Sequence, residues 1–347
     1  MKYYSILAFL FFVSFHATYA QQQKTVTDQW RPLVEQVLSD TSVFCFNGIV
    51  LIAQQNKPVM KMQGYADMEQ KIRVNANSQF VIGSISKQIT AVLVLREYEK
   101  HNLQLHVPIR TYLPELKMSW ADTVTIHHLL THMHGIQSID EPLAFIPGTQ
   151  FDYGLSNAGY RLLSEIVERV SGKSFAQISK ELFKQCGMKE TFHPDDKRYK
   201  HLVKGYTEQE GGTLVFETES FQNAPAAGGF VSTAGDMLLW NQCLHGGKLL
   251  LPETYQLMIS KKKGAIRQHR LWGEVYYGYG ITVDDQSVLQ LGQTGFAPGF
   301  VSMNYYFPAT HTSVIMLENT AYRTSDLKRT FYHHVLLLNE VRKRLSK

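Results

Sequence analysis

The sequence predicts an α+β protein in which an antiparallel β-sheet, flanked by helices, is built from both ends of the chain. A mainly α-helical lobe is inserted between the two halves. Three observations lead there. Short apolar and aromatic runs separated by turn residues lie near the N-terminus and again past Tyr276. Between them, apolar residues recur at helical spacing. No internal repeat, low-complexity stretch or polar linker divides the 347 residues.

In chain order, Lys2 precedes an apolar run, Tyr3 to Phe15, and Thr18-Tyr19-Ala20 stands ahead of three glutamines. A basic start, a short apolar core and small residues at the cut predict a cleaved signal peptide over 1–20 and a periplasmic or secreted protein. The run is shorter than the roughly 20 apolar residues of a membrane span, so no stable span is expected in the mature form. Residues 21–347 read as one domain. Its sheet lobe is expected at about 25–83 and 230–347, and its helical lobe at about 84–229.

Asn47 to Ala53 and Pro58 to Gly64 flank the turn residues Gln54 to Lys57, as in a hairpin. From Ile85 to Tyr98 the apolar spacing is helical, and two more helices follow at Thr125 to Thr131 and Asn157 to Ser171. Gly172 stops the second of these. Ser232 or Thr233 is placed to cap a helix running through Met237 and Trp240. Tyr277 to Val283, Val288 to Gly292, Phe300 to Phe307 and Ser313 to Leu317 read as an antiparallel meander. A last helix is expected from Ser325 to Arg344.

The net charge of +5 is small and scattered, which argues against nucleic acid as a partner. Lys261 to Lys263 with Arg267 and Arg270 form a dense basic run, read as a solvated loop. Cys45, Cys186 and Cys243 cannot all pair. Each sits among apolar residues and reads as a buried thiol, with one disulfide left open.

Ser84-Ile85-Ser86-Lys87 sets a hydroxyl and an amine three apart at the start of a helix, on one face. A serine hydroxyl is a poor nucleophile until a neighbour takes its proton. A buried lysine can do so, because desolvation lowers its pKa. The same spacing recurs at Ser260 to Lys263 and Ser325 to Lys328, so on its own it is a weak signal.

The surrounding motifs distinguish Ser84. Phe80 to Ala91 resembles the nucleophile segment of class C β-lactamases, DD-peptidases of the penicillin-binding proteins, and related esterases. Asp122 to His132 before Gly135, Pro147-Gly148-Thr149 with Ser156-Asn157, Gly228 to Thr233 with Asp236, and Gly292 to Gly295 with Pro298 to Phe300 resemble the same family in order. The likeness runs from about Asn47 to Asn319.

That resemblance implies an acyl-enzyme on Ser84, with Lys87 keeping the hydroxyl poised and a tyrosine and Asn157 completing the proton relay. It also implies a substrate-binding strand through Gln293, Thr294, Gly295 and Phe296. The backbone N–H groups of Ser84 and Phe296 would then hold the oxyanion. Neither metal nor cofactor is called for. The substrate would be a small molecule or peptide: a cell-wall D-alanyl peptide, a β-lactam or an ester.

Two departures from the family pattern bear on this. The tyrosine commonly stands two residues before the asparagine, where this chain has Leu155. Either a two-residue insertion delivers Tyr153 to the site or the base is missing; the Pro-Gly-Thr-x-Phe lead-in favours Tyr153. A lysine or histidine usually precedes Thr-Gly, and here Gln293 does. Glutamine offers a hydrogen bond without charge, a weaker anion contact that leans toward esters or uncharged amides.

His127, His128, His132 and His134 cluster, but no glutamate completes a His-Glu-x-x-His pattern, and they read as packing and turn. Tyr276, Tyr277, Tyr279, Tyr305 and Tyr306 read as strand core. The leading expectation is therefore an exported, penicillin-binding or DD-peptidase-like serine hydrolase. An esterase of the same fold, or a non-catalytic wall-binding protein, is the alternative.

Overall fold

Consecutive apolar residues suit a strand covered on both faces, and Gly48–Gln54 (β1) is such a strand, buried along all but its last residue. Lys57–Gln63 (β2) returns beside it through Gln55 and Asn56, both at positive φ, the backbone that matches a hairpin's twist. The computed structural model describes residues 29–196, 198–217 and 224–346; the signal segment read at 1–20 lies outside them.

Six short strands follow: Tyr65–Asp67 (β3), Ile72–Arg73 (β4), Phe80–Val81 (β5), Tyr206–Glu208 (β6), Leu214–Phe216 (β7) and Val231–Ser232 (β8). The C-terminal third supplies Ile266–His269 (β9), Gly273–Tyr277 (β10), Thr282–Asp284 (β11), Gln290–Ala297 (β12), Phe300–Phe307 (β13), Thr312–Glu318 (β14) and Thr320–Ala321 (β15). The main sheet has eight strands in the order β2-β1-β14-β13-β12-β11-β10-β9. All its neighbours are antiparallel, and the N-terminal hairpin joins the C-terminal meander where Val50 faces Met316.

The helices are residues 29–39 (α1), Ser86–Glu99 (α2), Ile126–Leu130 (α3), Ser156–Ser171 (α4), Phe175–Cys186 (α5), Ala234–His245 (α6), Pro252–Ile259 (α7), Leu327–Thr330 (α8) and Tyr332–Leu345 (α9). Strand alternation divides the core between the two faces of the sheet. Val50 and Ile52 pack with Trp30, Leu33, Leu337 and Leu338 from α1 and α9. Ile49 and Leu51 face the helical lobe and join Ile89, Val92 and Trp240.

Several expectations need correcting. Tyr277 to Val283 is not one strand, because β10 ends at Tyr277 and Gly280 has positive φ before β11. The last helix breaks at Phe331, between α8 and α9. Cys45 is exposed, whereas Cys186 and Cys243 are buried; all three are free. The basic run is solvated only in part, at Lys261, Lys263 and Arg270. Lys262 is buried against the Leu257 carbonyl and Ser260 Oγ, and Arg267 lies on β9. The histidines serve the local fold: His128 Nδ1 accepts from Thr125 N–H in a capping box, and His134 Nδ1 accepts from Ile136 N–H.

Candidate active site

β5 pairs with β8, and the chain then turns through a 3-10 turn, Gly83–Ile85, into α2. That route needs glycine at 83, where φ is +54° and an added Cβ would lie 2.4 Å from Phe296 N. The residue ahead of Ser84 is thereby held against β12.

α2 is buried on almost every side, so its polar side chains need internal partners. Three of them, Ser86, Lys87 and Thr90, find these in the segment 225–230. Thr90 Oγ1 donates to the Ala226 carbonyl, and Ser86 Oγ accepts from Phe230 N–H. Lys87 Nζ donates to the Ala227 carbonyl at 2.8 Å, to Asn157 Oδ1 at 3.3 Å and to Ser84 Oγ at 3.1 Å. Lys87 has no solvent exposure, and burial, helped by the nearby positive charge of Arg267, brings its pKa down to about 7. The amine is therefore available as a base near neutral pH.

Tyr153 sits on a 3-10 turn, Tyr153–Leu155, that runs directly into α4. Asp152 caps this turn by accepting from Gly154 N–H. Tyr153 lines a cleft of about 550 Å³ together with Ser84, Thr294, Gly295 and Phe296. Leu155 is not among the residues lining it.

Gln293 has a different position from the one a substrate contact requires. It is fully buried, and its Nε2 donates to both the Ser84 carbonyl and the Tyr153 hydroxyl at 2.9 Å. Its Oε1 accepts from Tyr277 O–H at 3.1 Å. Both N–H bonds of the amide are thus spent inside the protein, tying the Ser84 backbone to Tyr153.

In and around the cleft are groups that the sequence reading did not place at the site. Arg267 lies with its guanidinium carbon 3.7 Å from the Tyr153 ring centroid, in cation–π contact. His132, fully buried, packs its ring against Phe151, Tyr153, Tyr160 and Tyr277, and burial holds its pKa well below the usual histidine range. The Ala227 carbonyl is a backbone group with no sequence signature. Arg267 did leave a trace: Ala265 to Tyr277 has the length and apolar ends of a hairpin turning at Arg270 to Trp272. Among the described residues, no group of three or more histidines, cysteines or acids is arranged to hold a metal.

The chain is similar to known proteins in sequence and in fold. The beta-lactamase family profile matches residues 45–338. The Bacillus subtilis protein PbpX, named as a penicillin-binding protein, is 29% identical over 79% of this chain and 71% of its own length. The teichoic acid D-alanine hydrolase of Staphylococcus aureus is 27% identical over 55% of this chain and 52% of its own. The crystal structure of a D-amino acid amidase from Ochrobactrum anthropi superposes with a TM-score of 0.78 at 19% identity, over 90% of this chain and 98% of that one, a likeness of fold.

Proposed function

The chain belongs to the beta-lactamase family and is a serine hydrolase, and on that premise we propose that it works through an acyl-enzyme on Ser84. Its substrate in this reading is a D-alanyl peptide, a β-lactam or a related amide outside the cytoplasm. The observation that carries the proposal is the 3.1 Å contact between Ser84 Oγ and a buried lysine whose pKa lies near 7.

As Ser84 Oγ bonds to the substrate carbonyl carbon, neutral Lys87 takes its proton. The Ala227 carbonyl and Asn157 Oδ1 hold the resulting ammonium. The carbonyl oxygen, now anionic, accepts from the backbone N–H groups of Ser84 and Phe296; the close approach of Gly83 to Phe296 N supports this pairing. Collapse breaks the C–N bond. The leaving nitrogen takes the proton from Lys87 by way of Tyr153, whose ring centroid lies 5.5 Å from Nζ. Water then adds to the ester carbonyl, the bond from that carbon to Ser84 Oγ breaks, and Oγ takes a proton that the water gave up, leaving the acid product. Each step uses protein groups and water.

The D-alanyl part of the proposal draws on the relatives, one named for removing D-alanine and one a D-amino acid amidase. Export rests on the pattern of residues 1–20. Esterase activity is the second reading, favoured by the uncharged and internally bonded Gln293 at the position ahead of Thr294-Gly295. Turnover of a D-alanyl-D-alanine peptide, a chromogenic β-lactam and an activated ester by wild type and Ser84→Ala tests these readings. The proposal expects amide turnover that the variant loses. Turnover confined to the ester would favour the second reading, and none at all would sink both.

A further inference from the structure

Three cysteines allow three pairings, and the fold leaves one of them open. Cys45 stands ahead of β1, where its neighbours Phe44 and Phe46 pack on His333 in the layer of α1 and α9. Cys186 and Cys243 lie on the opposite face of the sheet, buried together in the core of the helical lobe.

Local structure brings these two together. Cys186 is the last residue of α5, which stops there because Gly187 takes the left-handed conformation at φ +72°. Cys243 lies in the last turn of α6, and α5 and α6 pack on one another. The two helix ends share Lys248 as a partner. Its N–H donates to the Cys243 carbonyl at 3.0 Å, and its carbonyl accepts from Gln185 Nε2 at 3.1 Å. Within that frame the Cys243 thiol is the side-chain hydrogen-bonding partner of the Cys186 thiol. Thiols are weak donors and weak acceptors, so the helices set this contact rather than the sulfurs themselves.

We propose that Cys186 and Cys243 are an oxidisable pair that closes into a disulfide, joining the C-terminal end of α5 to that of α6. The staple encloses β8 and the 225–230 segment to which Lys87 donates, so it bounds the loop on which the nucleophile's helix leans. Its formation is independent of acyl transfer. The electron acceptor is another disulfide, such as oxidised glutathione. One cysteine thiolate attacks it, giving a mixed disulfide and one reduced glutathione, and the second cysteine thiolate displaces the other glutathione. The protein thiols lose two electrons and two protons, and one glutathione disulfide becomes two thiols. Burial pushes the Cys186 thiol up, away from the reactive thiolate, so exchange is slow in the folded protein and the bond belongs to folding rather than catalysis. Closing so long a loop restrains the unfolded chain, the condition under which a disulfide stabilises most.

The test is refolding of the full chain and of Cys45→Ala from the reduced, unfolded state. One buffer is rich in oxidised glutathione and the other holds excess dithiothreitol. After acid quench, unfolding and alkylation, intact mass counts the thiols that remain. From the oxidising buffer, Cys45→Ala is expected to be lighter by two hydrogens and to take no label; from the reducing buffer it should be labelled at both Cys186 and Cys243. In the full chain, a non-reducing peptide map should join Cys186 to Cys243. Oxidised Cys45→Ala should melt about 5 °C or more above its reduced form, and adding Cys243→Ala should abolish that difference. Labelling of both residues in either buffer, glutathione retained on one of them, a bond through Cys45 in the full chain, or equal melting of the oxidised and reduced forms would overturn the proposal. The bond forming in a protein that never acylates Ser84 would leave this proposal standing.

Discussion

A lysine amine is charged at neutral pH unless its surroundings penalise the charge, and Lys87 has lost all contact with solvent. Burial, with the field of Arg267, lowers its pKa to about 7, so the amine is protonated below that value and neutral above it. Acylation of Ser84 should therefore rise with pH through about 7 and level off on the alkaline side. A stopped-flow pH profile with a chromogenic β-lactam checks this, and a flat profile from pH 5 to 9 would contradict it. Removing the repulsion in Arg267→Gln should move the limb to higher pH. Tyr153 and Leu155 give the second prediction at this scale. Tyr153→Phe should slow acylation by about 10²-fold or more, whereas Leu155→Ala should leave the rate within a few-fold. The reverse pattern in paired kinetics would move the proton relay elsewhere.

At the scale of elements, the nucleophile turn and β12 form one unit because two glycines let their backbones meet. Gly83 adopts positive φ beside Phe296 N, and a Cβ at Gly295 would lie 2.1 Å from the Ile82 carbonyl oxygen. Gly83→Ala should cost roughly 1–3 kcal/mol of stability for the strained backbone. It should also slow acylation by about 10²-fold, since it pushes apart the two oxyanion donors. Thermal unfolding and single-turnover kinetics would show both effects, and a variant acylating at the wild-type rate would refute the close-approach account.

Those glycines also explain where the sequence was hard to read. The sequence places a strand at Val288 to Gly292, whereas β12 runs from Gln290 to Ala297, because its glycines mark close approach rather than termination. The β1–β2 hairpin, α2, α4 and α6 were legible from apolar spacing, helped by the turn at Gln55-Asn56, by Gly172 ending α4 and by Thr233 capping α6. Others were overlooked although the signal was present. Trp30, Leu33, Val34, Val37 and Leu38 have helical spacing in α1, with Pro32 in a first turn that tolerates it. Ser174 and Gln177 form the capping box that begins α5. Arg267 was obscured by the lysines before it, since nothing local to β9 records that Tyr153 packs beneath it.

For the whole molecule, the main sheet separates two kinds of packing. One face carries the helices that build the cleft, and the other is covered by α1 and α9. A cavity in the second layer should therefore cost stability without touching the chemistry. Leu337→Ala is expected to lose about 2–5 kcal/mol while Ser84 acylates within about two-fold of wild type. Urea unfolding and acylation kinetics on the same preparation check this. An activity loss as large as that of Gly83→Ala would mean the faces are coupled.

The central claim is that Ser84, poised by Lys87, becomes covalently acylated, and intact mass spectrometry with peptide mapping tests it most directly. After incubation with a penicillin and rapid acid quench, the account predicts a mass increase equal to the whole β-lactam. That increase should map to the peptide containing Ser84 and be missing from Ser84→Ala. An adduct that persists in Ser84→Ala or maps to another residue would contradict the account, as would the absence of any adduct together with no turnover.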